Sequence, residues 1–333
     1  MIKSVLNRYK SFPIQVKASL WFLICSFLQK GISTVTTPIF TRIMNTTEYG
    51  QYNVFNSWLS IASIFVSLSL TGGVYAQGLV KFEKDRNVFT SSLQGLTLLL
   101  VAVWMVIYFI FHDFWNQLFT LSSVQMIAML VIIWTTAVFS FWSTEQRVNY
   151  KYKALVVITL VVSLAKPMVG IFCVSVTNDK VSARILGIAL VELIGYAWLF
   201  FIQVKRGEVL FSKKYWVYAL SFNLPLVPHY LSQTVLNSAD RIMIRDLVGP
   251  SDAGIYSLAY SISLLMLLFN TALMQTINPW IYRKIKDKSI KDISSVAYST
   301  LMALACLNLL LIVLAPEVVA IFAPPTYYDA IYV

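Results

Sequence analysis

The sequence predicts an all-α polytopic membrane protein: two parallel-repeat six-helix lobes around a central cavity, the second lobe incomplete. Three observations predict it: long apolar runs, basic residues in every second loop, and landmarks that return at one fixed offset. Of 333 residues, 58% are hydrophobic and only 12% charged, with a mean hydropathy of +0.71. Soluble domains carry about a quarter charged residues. Apolar runs lie at about 18–43, 52–79, 89–111, 122–144, 154–176, 183–204, 217–247, 253–281 and 293–315. Each exceeds the roughly 18 residues that cross a hydrocarbon layer. Barrel strands, about 10 residues long and alternating, do not fit.

Basic residues set the orientation. The N-terminal segment carries Lys3, Arg8, Lys10 and Lys17, and the loops after spans 2, 4, 6 and 8 carry three, three, four and five more, together 19 of the 26 Lys and Arg. Loops after odd spans, span ends included, hold only Arg42, Lys180, Arg184, Arg241 and Arg245. This positive-inside pattern places the N-terminus in the cytoplasm. The same distribution argues against nucleic acid as the reason for the +11 net charge, since no polar domain gathers it. The first apolar stretch is too long for a cleavable signal and lacks a small-residue cleavage site, so it reads as span 1. Cys25, Cys173 and Cys306 fall inside spans without metal-ligand spacing, as small buried hydrophobes.

The repeat gives the domain organisation. Glu48-Tyr49-Gly50-Gln51-Tyr52 returns 204 residues later as Asp252-Ala253-Gly254-Ile255-Tyr256. The same offset takes the basic loop Lys81–Lys84 to Ile285–Lys288 and Asp113-Phe114-Trp115 to Glu317-Val318-Val319. Six spans separate each pair, and an even number returns the chain to the same side, so the halves are parallel. Residues 1–206 form an N-terminal lobe of spans 1–6. Residues 207–333 form a partial C-terminal lobe of spans 7–9 and the start of a tenth, after an interfacial linker around Lys205–Trp216.

Polar side chains recur at helical spacing on four spans: Ser26, Lys30, Thr34, Thr37 and Thr41 on span 1; Asn53, Ser57, Ser60, Ser63, Ser67 and Thr71 on span 2; His229, Gln233, Asn237 and Asp240 on span 7; Tyr256, Tyr260, Ser263 and Asn270 on span 8. Residues three and four apart share a face, and a polar face must meet protein or water within a bilayer. The stripes predict a cleft lined by spans 1, 2, 7 and 8, although Ser/Thr stripes also serve close helix packing. Intramembrane charges are costly and mark function. Lys30, Lys166, Glu192, Asp240, Arg241 and Arg245 lie at such depths. Either they pair off, Lys166 or Lys30 with Glu192 and Asp240 with a neighbouring Arg, or the surplus cations with Arg42 line a cavity for an anion. The substrate-binding candidates are Lys30, Arg42, Lys166, Asp240, Arg241, Arg245, Asn53, Asn237 and Tyr256. Pro38, Pro167, Pro225 and Pro228 predict kinks. The residues offer no paired catalytic carboxylates, phosphate-cradling glycine loop or metal cluster, and His112 and His229 stand alone. A transporter rather than an enzyme is expected, with no cofactor.

Thr37-Pro38-Ile39-Phe40-Thr41-Arg42 followed by Glu48-Tyr49-Gly50-Gln51-Tyr52, and Asn237-Ser238-Ala239-Asp240-Arg241-Ile242 followed by Gly254-Ile255-Tyr256, resemble the polysaccharide flippases of the multidrug/oligosaccharidyl-lipid/polysaccharide exporter superfamily. The resemblance covers the whole chain. It implies two six-helix lobes around a cavity and flipping of undecaprenyl-pyrophosphate-linked sugar units, of O-antigen or capsule type, across a bacterial inner membrane. It places cavity cations at Arg42 and Arg241. Implied partners are the lipid-linked oligosaccharide, membrane lipid and polymerase or other assembly proteins. Three other readings compete: a drug or cation antiporter, which wants acidic cavity residues; a membrane enzyme of polysaccharide assembly, which wants a large loop; and a non-transporting scaffold.

Overall fold

A computed structural model describes residues 13–286 and 290–333. Lys3, Arg8, Lys10 and residues 287–289, on which part of the loop-charge count and of the basic-loop repeat rests, lie outside them. The described residues form helices and turns with no strand. In chain order the helices are α1 Ile14–Ile43, α2 Thr46–Ser67, α3 Gly73–Lys81, α4 Arg86–Ile110, α5 His112–Phe119, α6 Ser123–Val148, α7 Tyr152–Val176, α8 Lys180–Gly207, α9 Lys213–Asn223, α10 Val227–Leu247, α11 Pro250–Lys286, α12 Ile290–Val313 and α13 Ala315–Phe322. Single 3₁₀ segments cover Glu83–Asp85, Leu224–Leu226 and Pro325–Tyr332.

Several helices start where the sequence supplies a cap. Asn45 accepts from the Glu48 amide while Glu48 accepts from the Asn45 amide, both at 2.8 Å, a reciprocal capping box that opens α2. Ser122 and Gln125 do the same for α6, and Asp179 caps α8 through the Ser182 amide.

Among the described residues, six helical segments are long and apolar enough to span a bilayer: Ile14–Ile43, Glu83–Ile110, Ser123–Val148, Tyr152–Val176, Lys180–Gly207 and Val296–Val313. These helices make it an all-α, multi-pass membrane protein. Nine spans were expected. Those falling short among the described residues include α2 and α10, whose polar stripes dilute their hydropathy. Two expected spans are also broken. Span 2 divides into α2 and α3, because Leu68 and Ser69 take left-handed φ values of 48° and 51° and Gly72-Gly73 follow. Span 7 divides into α9 and α10 around a 3₁₀ turn at Leu224–Leu226, since Pro225 and Pro228 lack the amide a continuous helix needs. Where a tenth helix was expected to begin, Pro325–Tyr332 is a 3₁₀ turn after two prolines, with Tyr327 fully buried and donating to the Met44 carbonyl at 3.1 Å.

Helix boundaries in the two halves coincide at the repeat offset. Ile43 and Thr46, which end α1 and begin α2, lie 204 residues before Leu247 and Pro250, which end α10 and begin α11. The largest apolar cluster draws on both halves: Phe40, Tyr49 and Phe55 pack with Leu258, Ile262, Val319 and Tyr327.

The tightest approach between the halves is where α2 meets α11. A Cβ added to Gly50 would sit 1.9 Å from the Pro250 carbonyl oxygen, and one added to Gly254 would sit 2.1 Å from the Thr46 carbonyl oxygen. The contact is reciprocal: Gly50 and Gly254, and Thr46 and Pro250, are repeat equivalents. Only glycine allows backbones this close. Ser251 donates to Thr46 Oγ1 at 2.8 Å beside it. Thr41 and Arg42 close the same end by donating to the carbonyls of Phe322 and Ile321 at 2.6 and 3.0 Å.

Candidate functional site: two clefts between the halves and a pocket behind them

Away from the glycine crossing lies a cavity of about 460 Å³ between α2, α6 and α10. Ser60, Ser63 and Ser67 of α2, Thr136 and Ser140 of α6, and Tyr230, Gln233 and Thr234 of α10 give it a hydroxyl- and amide-rich wall. A second cleft of about 180 Å³ lies between α1 and α11, lined by Lys30, Ser33, Thr34, Thr37 and Ser261 and closed by Phe322. The expected single cleft of spans 1, 2, 7 and 8 is thus divided: α2 and α10 face one cavity, with α6 as an unforeseen wall, while α1 and α11 face the other.

Hydroxyls of the stripes are satisfied within their own helices. Thr34, Thr37, Ser60, Ser63 and Ser67 donate to carbonyls three or four residues back at 2.7–3.0 Å. Asn53 and Asn237 likewise donate to the Tyr49 and Gln233 carbonyls at 2.8 and 2.9 Å. Such back-bonding hides the donor and leaves the oxygen an acceptor.

The predicted cations separate into three groups. Arg42 donates to the Pro38 and Ile321 carbonyls, and Arg245 to Asp246 and the Phe119 carbonyl, so both are engaged at the crossing end. Lys166 is ion-paired with Glu192, which is 3% exposed and also accepts from Thr135 and Thr136 at 2.8 and 3.1 Å. Lys30 and Arg241 make no ion pair among the described residues. Arg241 reaches from α10 toward Ser57 of α2, with 3.4 Å between donor and hydroxyl, and stacks 4.2 Å from the Tyr260 ring. Its Nε is buried without a partner. Asp240 does not pair with its arginine neighbours; it accepts from Tyr256 at 2.8 Å, which leaves Arg241 uncompensated.

The sequence reading missed Arg184. It lies one turn into α8, its guanidinium carbon 3.5 and 3.6 Å from the ring centres of Phe40 and Tyr52. With Lys166, Gln29, Ser33, Thr36 and Ser163 it lines a third cavity of about 260 Å³ between α1, α7 and α8. Counting it as a span-end residue concealed it, since nothing local in the sequence signals a sandwich assembled from α1, α2 and α8.

Among the described residues, six helical segments able to cross a bilayer, with polar clefts between helices, define a multi-pass membrane protein. The polysaccharide biosynthesis protein family model matches residues 16–284, and the chain belongs to that family. It is 24% identical over 296 residues to the Lsg locus putative protein 1 of Haemophilus influenzae, covering 82% of this chain and 67% of that protein. It is 21% identical over 324 residues to an uncharacterized membrane protein of the same organism, covering 93% and 74%. No solved structure matches.

Proposed function

We propose that the chain is a flippase for lipid-linked oligosaccharides, moving undecaprenyl-pyrophosphate-bound sugar units from the cytoplasmic to the outer leaflet of a bacterial inner membrane, with its N-terminus in the cytoplasm. The observation that carries this is Arg241: a half-buried cation from one half, reaching toward the other, with its Nε buried and unbonded and no carboxylate paired with it among the described residues, in a member of a polysaccharide biosynthesis family. A buried charge that has no partner is expensive, and a ligand phosphate supplies what the fold omits. Lys30, on the facing cleft, is the second such cation.

In this reading the glycine crossing is the closed outer end and the α2–α6–α10 cavity faces the cytoplasm. The pyrophosphate binds Lys30 and Arg241, while the sugars meet the Ser, Thr, Gln and Tyr groups of the larger cavity. The prenyl tail stays in lipid between the halves. Two six-helix lobes rocking against each other would part Gly50 from Gly254 and open the outer side. No step needs a covalent intermediate or a cofactor. An antiporter for cations is less compatible with this surplus of positive groups.

The test is export of surface polysaccharide by cells whose own flippase is replaced by this protein. Each charge-assisted hydrogen bond is worth about 1.5–3 kcal/mol, so Lys30→Ala and Arg241→Ala are each expected to lower export at least about 10-fold at equal protein level, with Lys30→Arg retaining it. Normal export by both alanine variants would refute the proposal.

A further inference from the structure

We infer that the pocket between α1, α7 and α8 is a second anion subsite, one that takes the carboxylate of an acidic sugar in the transported unit. The inference rests on the flippase reading and extends it from the lipid carrier to the glycan.

Arg184 carries the argument. The Phe40 and Tyr52 rings both lie against its guanidinium, contacts that restrict its orientation. The donors of a guanidinium lie in its plane, at the edge. One terminal nitrogen donates to the Met44 sulfur at 3.6 Å, Tyr52 supplies a hydrogen-bond partner, and Nε is buried without one. Arg184 makes no ion pair among the described residues. A purely structural staple between α1, α2 and α8 would be served by the ring contacts alone and would not need to line a polar cavity. Buried donors are nearly always bonded, and a guanidinium edge matches a planar carboxylate in bidentate geometry.

The surroundings choose between a sugar acid and the carrier's pyrophosphate. The other cation in the pocket, Lys166, is already neutralised by Glu192, so the pocket offers about one net positive charge, suited to a monoanion. The remaining polar lining is Gln29, Ser33, Thr36 and Ser163, with the Gln29 amide donating to Ser163 at 3.1 Å. Neutral amides and hydroxyls suit sugar hydroxyls. Ser33 also lines the cleft that holds Lys30, so the two sites adjoin and one extended molecule can reach both.

The probe is sodium glucuronate, with glucose and inorganic pyrophosphate as comparisons, followed by saturation-transfer NMR on the purified full chain in detergent. Glucuronate is expected to bind saturably and glucose not. Arg184→Gln should weaken glucuronate at least about 10-fold, whereas Arg241→Gln should leave it unchanged and weaken pyrophosphate instead. Thr36→Leu, which fills the pocket without touching the arginine, should also abolish glucuronate binding and serves if Arg184→Gln does not purify. The inference is overturned if glucuronate binds no better than glucose, if neither pocket variant changes it, or if pyrophosphate displaces it through an Arg184-dependent site. Those results would leave the Lys30 and Arg241 export test standing, because it reads different residues.

Discussion

Residues 46–81 of the first half fold as two helices, α2 and α3, whereas residues 250–286 of the second half form the single helix α11 of 37 residues. Both begin at equivalent positions and meet at the same glycine crossing. They part company where the first half reads Ser67-Leu68-Ser69-Leu70-Thr71-Gly72-Gly73 and the second reads Thr271-Ala272-Leu273-Met274-Gln275-Thr276-Ile277. The first has two glycines and takes positive φ twice; the second is rich in good helix formers. The break is held from outside, since the fully buried Asn223 at the end of α9 donates to the Leu68 carbonyl at 3.0 Å. The reverse difference appears one helix earlier, where α1 is continuous while α9 and α10 are split at Pro225. Positions 204 residues apart therefore share the start of α2 and α11 and their crossing, while the bends fall at different places. The broken segment Ser69–Gly72 lines the larger cavity, so the asymmetry shapes the site.

The largest effect is expected at the shared feature. Gly50→Val puts a branched side chain where even a Cβ meets a backbone oxygen at 1.9 Å. Because the neighbour is backbone, the helices must separate. Loss of export and of cross-linking between cysteines placed across the crossing is expected, and Gly254→Val should match it. If one glycine tolerates valine and the other does not, the reciprocity of the crossing is wrong.

A smaller effect belongs to the first half alone. Glu192→Gln leaves Lys166 beside a neutral group in a buried site, and removing one partner of such a pair costs about 3–5 kcal/mol. A clear fall in the melting temperature of the purified protein is expected, partly recovered by adding Lys166→Met. Additivity of the two changes would show that the pair is not coupled. The smallest effect is at the helix break. Ser69→Gly relieves a left-handed φ of 51° and should stabilise by at most about 1 kcal/mol, seen as a small rise in melting temperature. A fall would mean that the Ser69 side chain holds the turn.

These contrasts show what the sequence made legible. The all-helical membrane class follows from hydropathy, and the 204-residue offset sets Gly50 against Gly254, while α2 begins at Thr46 behind its Asn45 cap, ahead of the expected span at about 52. The break at Pro225 falls where Pro225 and Pro228 predict a kink, whereas the break at Leu68 was hidden because hydropathy windows average over a turn of a few residues. Side-chain fates were harder still. Arg42 finds its carbonyl partner 279 residues away and Arg245 finds one 126 residues away, so neither is the free cation its depth implied. Arg184 became conspicuous only when Phe40 and Tyr52 closed on it.

The central claim is that the crossing end must open for the molecule to work, and one measurement addresses it directly. Thr46 Oγ1 and Ser251 Oγ lie 2.8 Å apart beside the crossing. Thr46→Cys with Ser251→Cys, in a chain whose Cys25, Cys173 and Cys306 are replaced by serine or alanine, should form a disulfide on mild oxidation. Export of polysaccharide by cells carrying this variant is expected to stop when the disulfide forms and to resume on reduction, while each single cysteine variant exports throughout. Normal export with the disulfide fully formed would contradict the account.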